Sequence, residues 1–425
     1  MSMQVYDPSA QMLAVSDKRV HLNHPGSVVT NIYYTKNNVT MQESQVTFEI
    51  GRYSQSLNSL NFGSQSTVVI PRDALLRNCY LHFVLPPVVA DQTLPRGYGY
   101  SLIDYVNYSL GSSNSSFVTI NGQANLQAVM CEAGSSDKRN ELLRLGGQQY
   151  VNPTTGNVEA DVILSLPFSQ AGCCKYPIDT NLLSSNITIQ IKLVEANKIY
   201  GGSGAKPTSL LSAELICAQG HMANKALSLK TFLSMYPEER YIYPFVHKQS
   251  EVYDITATAG TQVNQNLLSF LNADLLAISF VLVKKDRVYD PTGAQPPNPL
   301  LYSDVQDIRL SLGNNDYYKA PGQSYKLFNM QDLGGASYME NSAIGPGIVA
   351  PFTTTAKDSY IVQMNFSQNP SYIYHQRWYN TFRIGNNTLN LKFTPVDESG
   401  DFLLYTCYYY NAEASINGDT MLLFD

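Results

Sequence analysis

The chain has 425 residues and a mass of 47.2 kDa, enough for two or three domains that each bury a core, which excludes a disulfide-stapled mini-protein. Its 28 Lys and Arg against 34 Asp and Glu give a net charge of −6, so no cationic excess is left to neutralise phosphates, and direct nucleic-acid binding is not expected. Charged residues make up only 15% while Tyr numbers 30 against a single Trp, which points to a β-rich protein with uncharged, adhesive faces.

Residues 1–40 read as an N-terminal extension. The opening MSMQVYDPSA has neither a cationic start nor an apolar stretch, so no secretory signal is expected, and Lys18, Arg19 and Lys36 against Asp7 and Asp17 do not make a basic arm. Strand signals follow. In QVTFEI (45–50) apolar Val46, Phe48 and Ile50 alternate with polar residues, and the same period returns at Val106, Tyr108 and Leu110. Turn clusters separate such runs at 111–116 (GSSNSS), Asn121–Gly122, 201–204 (GGSG), 291–299 (PTGAQPPNP), 345–347 (GPG) and Asn417–Gly418. Helical signals are few. SDKRNELLRL (136–145) offers Leu142, Leu143 and Leu145 as a buried face before Gly146 and Gly147, and ANKALSLKTFLSM (223–235) reads as a linker helix or an irregular crossing before Pro237. The longest markedly apolar run, 275–283, is about half of the roughly 18 to 20 residues that span a bilayer.

A weak internal repeat organises these elements. LHFVL (81–85) matches ISFVL (278–282) at an offset of 197, VNYSLG (106–111) matches IRLSLG (308–313) at 202, and NITIQIKL (186–193) matches NNTLNLKF (386–393) at 200. Three colinear matches at nearly one offset predict two β domains of the same topology, 41–222 and 244–425, joined by a linker at 223–243. Each has room for eight strands with long loops, whereas an immunoglobulin-like domain needs only about 100 residues. The expected fold is all-β: two tandem eight-stranded jelly rolls, a double jelly roll, with long loops and a few short helices. The loops 88–100 and 286–298 are expected to form towers or interdomain contacts.

The residues that would carry chemistry are dispersed. HExxH and GxSxG are absent, and GGSGAKPT (201–208) lacks P-loop spacing and has Pro207 where a helix should begin, so it reads as a flexible loop. Gly97 and Gly99 are a fragment of GxGxxG placed before a strand. Among six histidines only His21 and His24 lie close, in a Pro- and Gly-containing loop; Asp304, Asp307 and Asp316 reproduce no calcium loop and read as turn carboxylates. Cys79, Cys131, Cys173, Cys174, Cys217 and Cys407 show no framework spacing and read as reduced thiols made in a cytosol, with Cys79 and Cys407 as small core residues. Asn-x-Ser/Thr sites at Asn38, Asn107, Asn114, Asn186, Asn365 and Asn386 match the number chance supplies. The aromatics YIYHQRWY (372–379) and Tyr408 to Tyr410 fit core and interface packing better than sugar stacking. No catalytic, cofactor-binding or metal residues are assigned, no cofactor is expected, and the chain is not read as an enzyme.

The order of these segments resembles the double jelly-roll major capsid proteins of icosahedral double-stranded DNA viruses, in the nucleocytoplasmic large DNA virus and virophage-like branch. YGYSLIDYVNYSLGSSNSSFVTINGQ (98–123) is similar to that family's first-domain stretch, with INGQ (120–123) in place of an Ile-Gly-Gly-Gln-like end before the helix that ends at Leu145. LSLPFSQAGCCKYPIDTNLLSSNITIQIKL (164–193), DIRLSLGNNDY (307–317), RIGNNTL (383–389) and LLYTCYYYN (403–411) follow in family order, over about three quarters of the chain. Asn121 in place of the first Gly and the adjacent Cys173 and Cys174 depart from the family pattern.

The resemblance implies a structural subunit that forms pseudo-hexagonal homotrimeric capsomers tiling an icosahedral shell. It implies neighbouring capsomers, penton and minor or cement proteins, and internal-membrane-associated proteins as partners, with synthesis in the host cytoplasm and residence in the virion. The N-terminal extension would then lie beneath the barrels. The rival readings are a spike, vertex or other carbohydrate- or receptor-binding β-sandwich protein, which does not account for the duplication, and a β-sandwich glycosidase, which needs two carboxylates in one cleft.

Overall fold

The computed structural model describes residues 48–425 apart from 73–74, 90, 96, 110–117, 134–135, 148–155, 170–177, 181–182, 184–185, 223–240, 268–273, 289–298, 314, 333–337, 340–342, 345–358, 367–381, 384–387, 418–419 and 425. The N-terminal extension, most of the 223–243 linker and the aromatic run 372–379 lie outside the described residues.

Eight principal strands build the first half: β1 Phe48–Ser56, β2 Gln65–Ile70, β3 Leu75–Leu85, β4 Ile103–Ser109, β5 Val118–Asn121, β6 Val158–Ile163, β7 Ile187–Leu193 and β8 Ser212–Met222. Eight more build the second: β9 Tyr241–Ala257, β10 Val263–Asn266, β11 Asp274–Lys284, β12 Val305–Leu312, β13 Asn315–Ala320, β14 Val362–Asn365, β15 Leu389–Pro395 and β16 Gly400–Asn417. The first half pairs as β1-β8-β3-β6 and β2-β7-β4-β5, and the second as β9-β16-β11-β14 and β10-β15-β12-β13. Adding eight to every strand number converts one half into the other, and the described ladders are antiparallel throughout. This is the double jelly roll expected from the repeat.

The duplication extends to irregularities. In β3 a bulge leaves Arg77 out of the ladder with β8, and in β11 a bulge leaves Leu276 out of the ladder with β16. Those positions are 199 residues apart, two more than the offset read from LHFVL and ISFVL. Likewise Tyr108 pairs with Ile189 and Leu310 with Leu391, which aligns both strand pairs at 202, two more than the offset read for β7 and β15. The segments matched in sequence are the right ones and the alignment slipped by two. A two-residue slip returns every side chain to the same face of a strand, so alternation alone cannot detect it.

The two halves differ in what covers their outer sheets. In β3 burial alternates, with Cys79, Leu81, Phe83 and Leu85 inward and Asn78, Tyr80, His82 and Val84 half-exposed. In β11 every residue from Leu275 to Val283 is buried. Ile278, Phe280 and Leu282 fill the second half's own core, whereas Ala277, Val281 and Val283 join the first half's core together with Val246, Cys407 and Tyr409. A strand buried on both faces reads as a near-continuous apolar run, which explains 275–283, where Ser279 is the one polar residue. Among the described residues no helix is long and apolar enough to cross a membrane.

Two helices follow β5: α1, Gly122–Glu132, and α2, Ser136–Leu145. The second was expected. The first was not, because Asn121–Gly122 reads as a turn in the sequence. A third helix, α3, Tyr325–Asp332, follows β13 in the second half. The expectation that loop 88–100 makes an interdomain contact holds: Leu94–Pro95 pairs with Ala343–Ile344 of the second half.

Candidate functional site

The most elaborated arrangement of polar side chains in the described structure is the seam where α1 meets the second half. It starts from Asn121, whose Oδ1 accepts the amide of Ala124 at 2.8 Å and so caps the helix. The departure from the family's Gly at this position thus has a local reason. At Gly122 the helix runs so close to the chain before β4 that a Cβ would overlap the carbonyl oxygens of Ile103 and Tyr100.

All eleven residues of α1 are buried, including three amides. Asn125 serves its own half: Nδ2 donates to the Ile163 carbonyl at 3.0 Å and Oδ1 accepts the Ser165 amide at 2.8 Å. Gln123 and Gln127, one helical turn apart, serve the other half. Gln123 Nε2 donates to the Pro299 carbonyl at 3.0 Å, and its Oε1 accepts from Tyr302 Oη at 3.1 Å. Gln127 Nε2 donates to the Tyr405 carbonyl at 3.3 Å, and its Oε1 accepts from Ser279 Oγ at 2.7 Å. Each amide therefore has both ends satisfied, which is what makes burying it tolerable.

The helix ends in a charge. Glu132 forms an ion pair with Lys248 of β9, and both side chains are 2% exposed. Ser165 Oγ donates to Glu132 Oε1 at 2.8 Å and accepts from Lys248 Nζ, closing a triangle across the two halves. Nearby, Arg139 of α2 is buried and donates from Nε to the Met130 carbonyl at 2.8 Å, satisfying an acceptor in the last turn of α1.

His247 precedes Lys248 and packs between Phe245 and Tyr410, ring centroids 6.1 and 4.7 Å away. Burial, and then the adjacent Lys248 ammonium, lower its pKa to about 4. The folded value lies below the usual 6.5, so its contribution to stability is complete above pH 6.5 and is lost as pH falls from there toward 4. The span corresponds to about 3 kcal/mol. The melting temperature should drop across that window, and His247→Phe should flatten the drop; an unchanged acid limb in the variant would refute the assignment. His82, by contrast, is raised by the hydrogen bond that its Nδ1–H donates to Asp161 Oδ1 at 2.9 Å, so its contribution is present below pH 6.5 and lost as pH rises past the folded value. Both side chains are partly in water, 28% and 44% exposed, so this effect is small.

The residues weighed for chemistry in the sequence do not converge. Asp307, in a left-handed conformation at φ 54°, lies in strand β12 and not in the expected turn, and accepts the Gly322 amide at 2.8 Å at the open end of the β12–β13 pair; Asp304 lies 3.6 Å from Lys326; Asp316 is exposed on β13. The 201–208 segment is a pinned loop, not a flexible one: Gly201 bridges to Thr93, Gly204 donates to the Asp91 carbonyl, and Gln92 Nε2 donates to the Ala205 carbonyl. Gly97 begins a helical turn, Tyr98–Ser101, before β4. Asn107 Nδ2 donates to Gln190 across the sheet, Asn186 Oδ1 accepts the Arg72 amide, and Asn365 Oδ1 accepts from Gln363. Tyr408 lies in the second half's core and Tyr409 in the seam, as the packing reading anticipated. Cys79 and Cys407 are fully buried core residues. Among the described residues no group of three or more His, Cys, Asp or Glu could hold a metal ion. His21, His24, Cys173, Cys174, Asn38, Asn114 and Asn386 lie outside the described residues.

No protein-family model matches this sequence, and no curated protein does. Solved structures do. The chain is similar to VP54 of PBCV-1, seen fitted into a reconstruction of the virophage Sputnik, at 14% identity and a TM-score of 0.64 over 89% of this chain and 97% of that one. It is similar to the chain in the PBCV-1 virus capsid at 12% identity and a TM-score of 0.61, again over 89% and 97%. The Faustovirus major capsid protein follows at 10% identity and a TM-score of 0.56, over 87% and 90%. The likeness spans both halves, and the chain has the double jelly-roll fold of these capsid proteins.

Proposed function

We propose that this chain is a viral major capsid protein, a structural subunit whose homotrimers form pseudo-hexagonal blocks of an icosahedral shell. The observation that carries this reading is the match of the whole duplicated fold, covering 97% of the PBCV-1 VP54 chain. It is made in the host cytoplasm and resides in the virion, with penton, minor or cement and internal-membrane-associated proteins as further partners. The domains 41–222 and 244–425 are its two barrels, and residues 1–40 are an N-terminal extension.

The seam supports the trimer. Inside one chain, the side of the first half that carries β5 and α1 meets the outer face of the β9-β16-β11-β14 sheet, a head-to-tail contact between unlike faces of like domains. Among the described residues each chain therefore keeps one unmatched copy of either face. The first half offers the outer face of β1-β8-β3-β6, where half-exposed Tyr80, Ile163 and Ile216 form a cross-strand row. The second half offers β13 and α3, where Tyr317 is 48%, Leu327 62% and Phe328 36% exposed. Heterologous contacts between such faces close into rings when the rotation allows, and three chains supply six barrels.

Light scattering coupled to gel filtration should give about 142 kDa, three times the chain mass. Leu327→Asp with Phe328→Ser should shift it to the monomer mass with an unchanged circular-dichroism spectrum. A wild-type monomer would remove the trimer, and a variant that remains trimeric would remove α3 from the interface.

A further inference from the structure

Cys79 of β3 and Cys217 of β8 are direct partners in the antiparallel ladder, and their sulfurs lie 2.8 Å apart. Both residues are fully buried. Direct antiparallel partners have Cα atoms about 4.5 to 5.5 Å apart, inside the range of about 4.4 to 6.8 Å that a disulfide spans, so a bond here requires side-chain rotation but no backbone movement. The backbone at Cys79 is also fixed: its amide donates to Ser169 Oγ at 2.9 Å, and its carbonyl accepts the Leu164 amide at 2.9 Å.

The core does not need two thiols at this place. In the second half the equivalent pair, matched through the shared bulge, is Ile278 opposite Tyr408, an ordinary apolar filling of the same position. The two residues that replace it in the first half are the two that can be joined covalently.

We propose that Cys79 and Cys217 are a latent disulfide that closes when the protein meets a small-molecule disulfide as oxidant. One thiolate attacks a sulfur of glutathione disulfide, forming a mixed disulfide and releasing one glutathione. The second thiolate then attacks the protein sulfur of that mixed disulfide and releases the other glutathione, so two protein thiols are oxidised and one glutathione disulfide is reduced to two thiols. Because both sulfurs are buried, exchange takes place while the chain folds or during opening of the sheet, and a closed bond is sheltered from reductant. The bond ties strands whose cysteines are 138 residues apart. The bond does not depend on the capsid reading. Its use does: it would lock the first barrel of a shell that leaves a reducing cell interior.

The test uses the full chain, purified reduced and incubated with glutathione disulfide in mild urea to permit opening. After the urea is removed, free thiols are alkylated under denaturing conditions and peptides are mapped by mass spectrometry. The expected result is a Cys79–Cys217 cross-linked peptide about 2 Da lighter than the sum of its parts, with Cys131 and Cys407 alkylated, and a melting temperature higher by roughly 5 to 10 °C that dithiothreitol reverses. The variant Cys79→Ala with Cys217→Ala should fold and show no redox dependence of melting. All thiols remaining alkylatable, or cross-links scattered among the other cysteines, would overturn the proposal, whereas the oligomer mass would be untouched by either result.

Discussion

Lys248→Met is expected to destabilise the protein by about 3 to 5 kcal/mol, more than any other single surface-neutral change of similar size in β9. The substitution keeps the length of the side chain and removes only the ammonium. Glu132 then stays 2% exposed at the end of α1 without the Lys248 ammonium, and Ser165 Oγ loses the Lys248 donor while still serving the carboxylate. The hydrophobic contact is preserved, so the loss measures removal of the ammonium from the buried pair. Glu132→Leu combined with Lys248→Met should recover most of the loss and can exceed the parent, because an ion pair taken wholly out of water gains little over a well-packed apolar pair. Urea unfolding of the four members of this cycle checks it: two damaging single variants and a near-neutral double variant are expected. Additive losses in the double variant would mean that Lys248 and Glu132 act separately, and the seam would then be held by its amides and apolar contacts alone.

That pair was invisible in the sequence for a physical reason. Lys248 and Glu132 lie in different halves, and nothing local distinguishes a charged residue that will be buried from one that will be solvated. The strands were legible because half-buried sheets impose a period of two, as in ITIQIKL of β7, where every second residue is buried. The duplication was legible because two domains of one topology repeat that period in one order. The slip of two residues at β3 and β7 marks the limit of the same signal, since the absolute alignment is fixed by the bulges at Arg77 and Leu276 for β3 and by the partners Tyr108–Ile189 and Leu310–Leu391 for β7. Helix α1 was missed because GQANLQAVMCE is buried on all sides and carries no polar stripe against which an apolar face can be recognised. Its one local mark was Asn121–Gly122, which as a dipeptide is also the commonest hairpin turn, and the choice between cap and turn depends on a second half some 130 residues further on. The apolar 275–283 run, broken only by Ser279, stands out in the sequence by its length. Its meaning, a strand covered on both faces, required knowing that the other half of the chain covers it.

Gly122→Ala should be among the most damaging changes of a single methyl group in the first half. Alanine normally stabilises a helix by about 1 kcal/mol relative to glycine, so helix propensity alone predicts a gain. Here the added Cβ would overlap two backbone carbonyl oxygens, those of Ile103 and Tyr100, and backbone atoms cannot rotate aside as a side chain can. Relief requires moving the start of α1 away from the chain that leads into β4, and that motion would pull Gln123 from the Pro299 carbonyl and Tyr302, and Gln127 from Ser279 and the Tyr405 carbonyl. The expected loss is 3 kcal/mol or more, of the order found when a packed core is overfilled and buried hydrogen bonds are broken together. Gly260→Ala is the matched control: its φ is +72°, nothing lies within 4 Å of the added methyl, and only the left-handed backbone strain of about 1 to 2 kcal/mol applies. Thermal melts of the two variants decide the matter. A Gly122→Ala protein that melts no lower than Gly260→Ala would show that α1 can lift off its support without loss. The seam would then be a loose contact between two independent barrels, and the rigid six-barrel block proposed here would lose the rigid link within each chain.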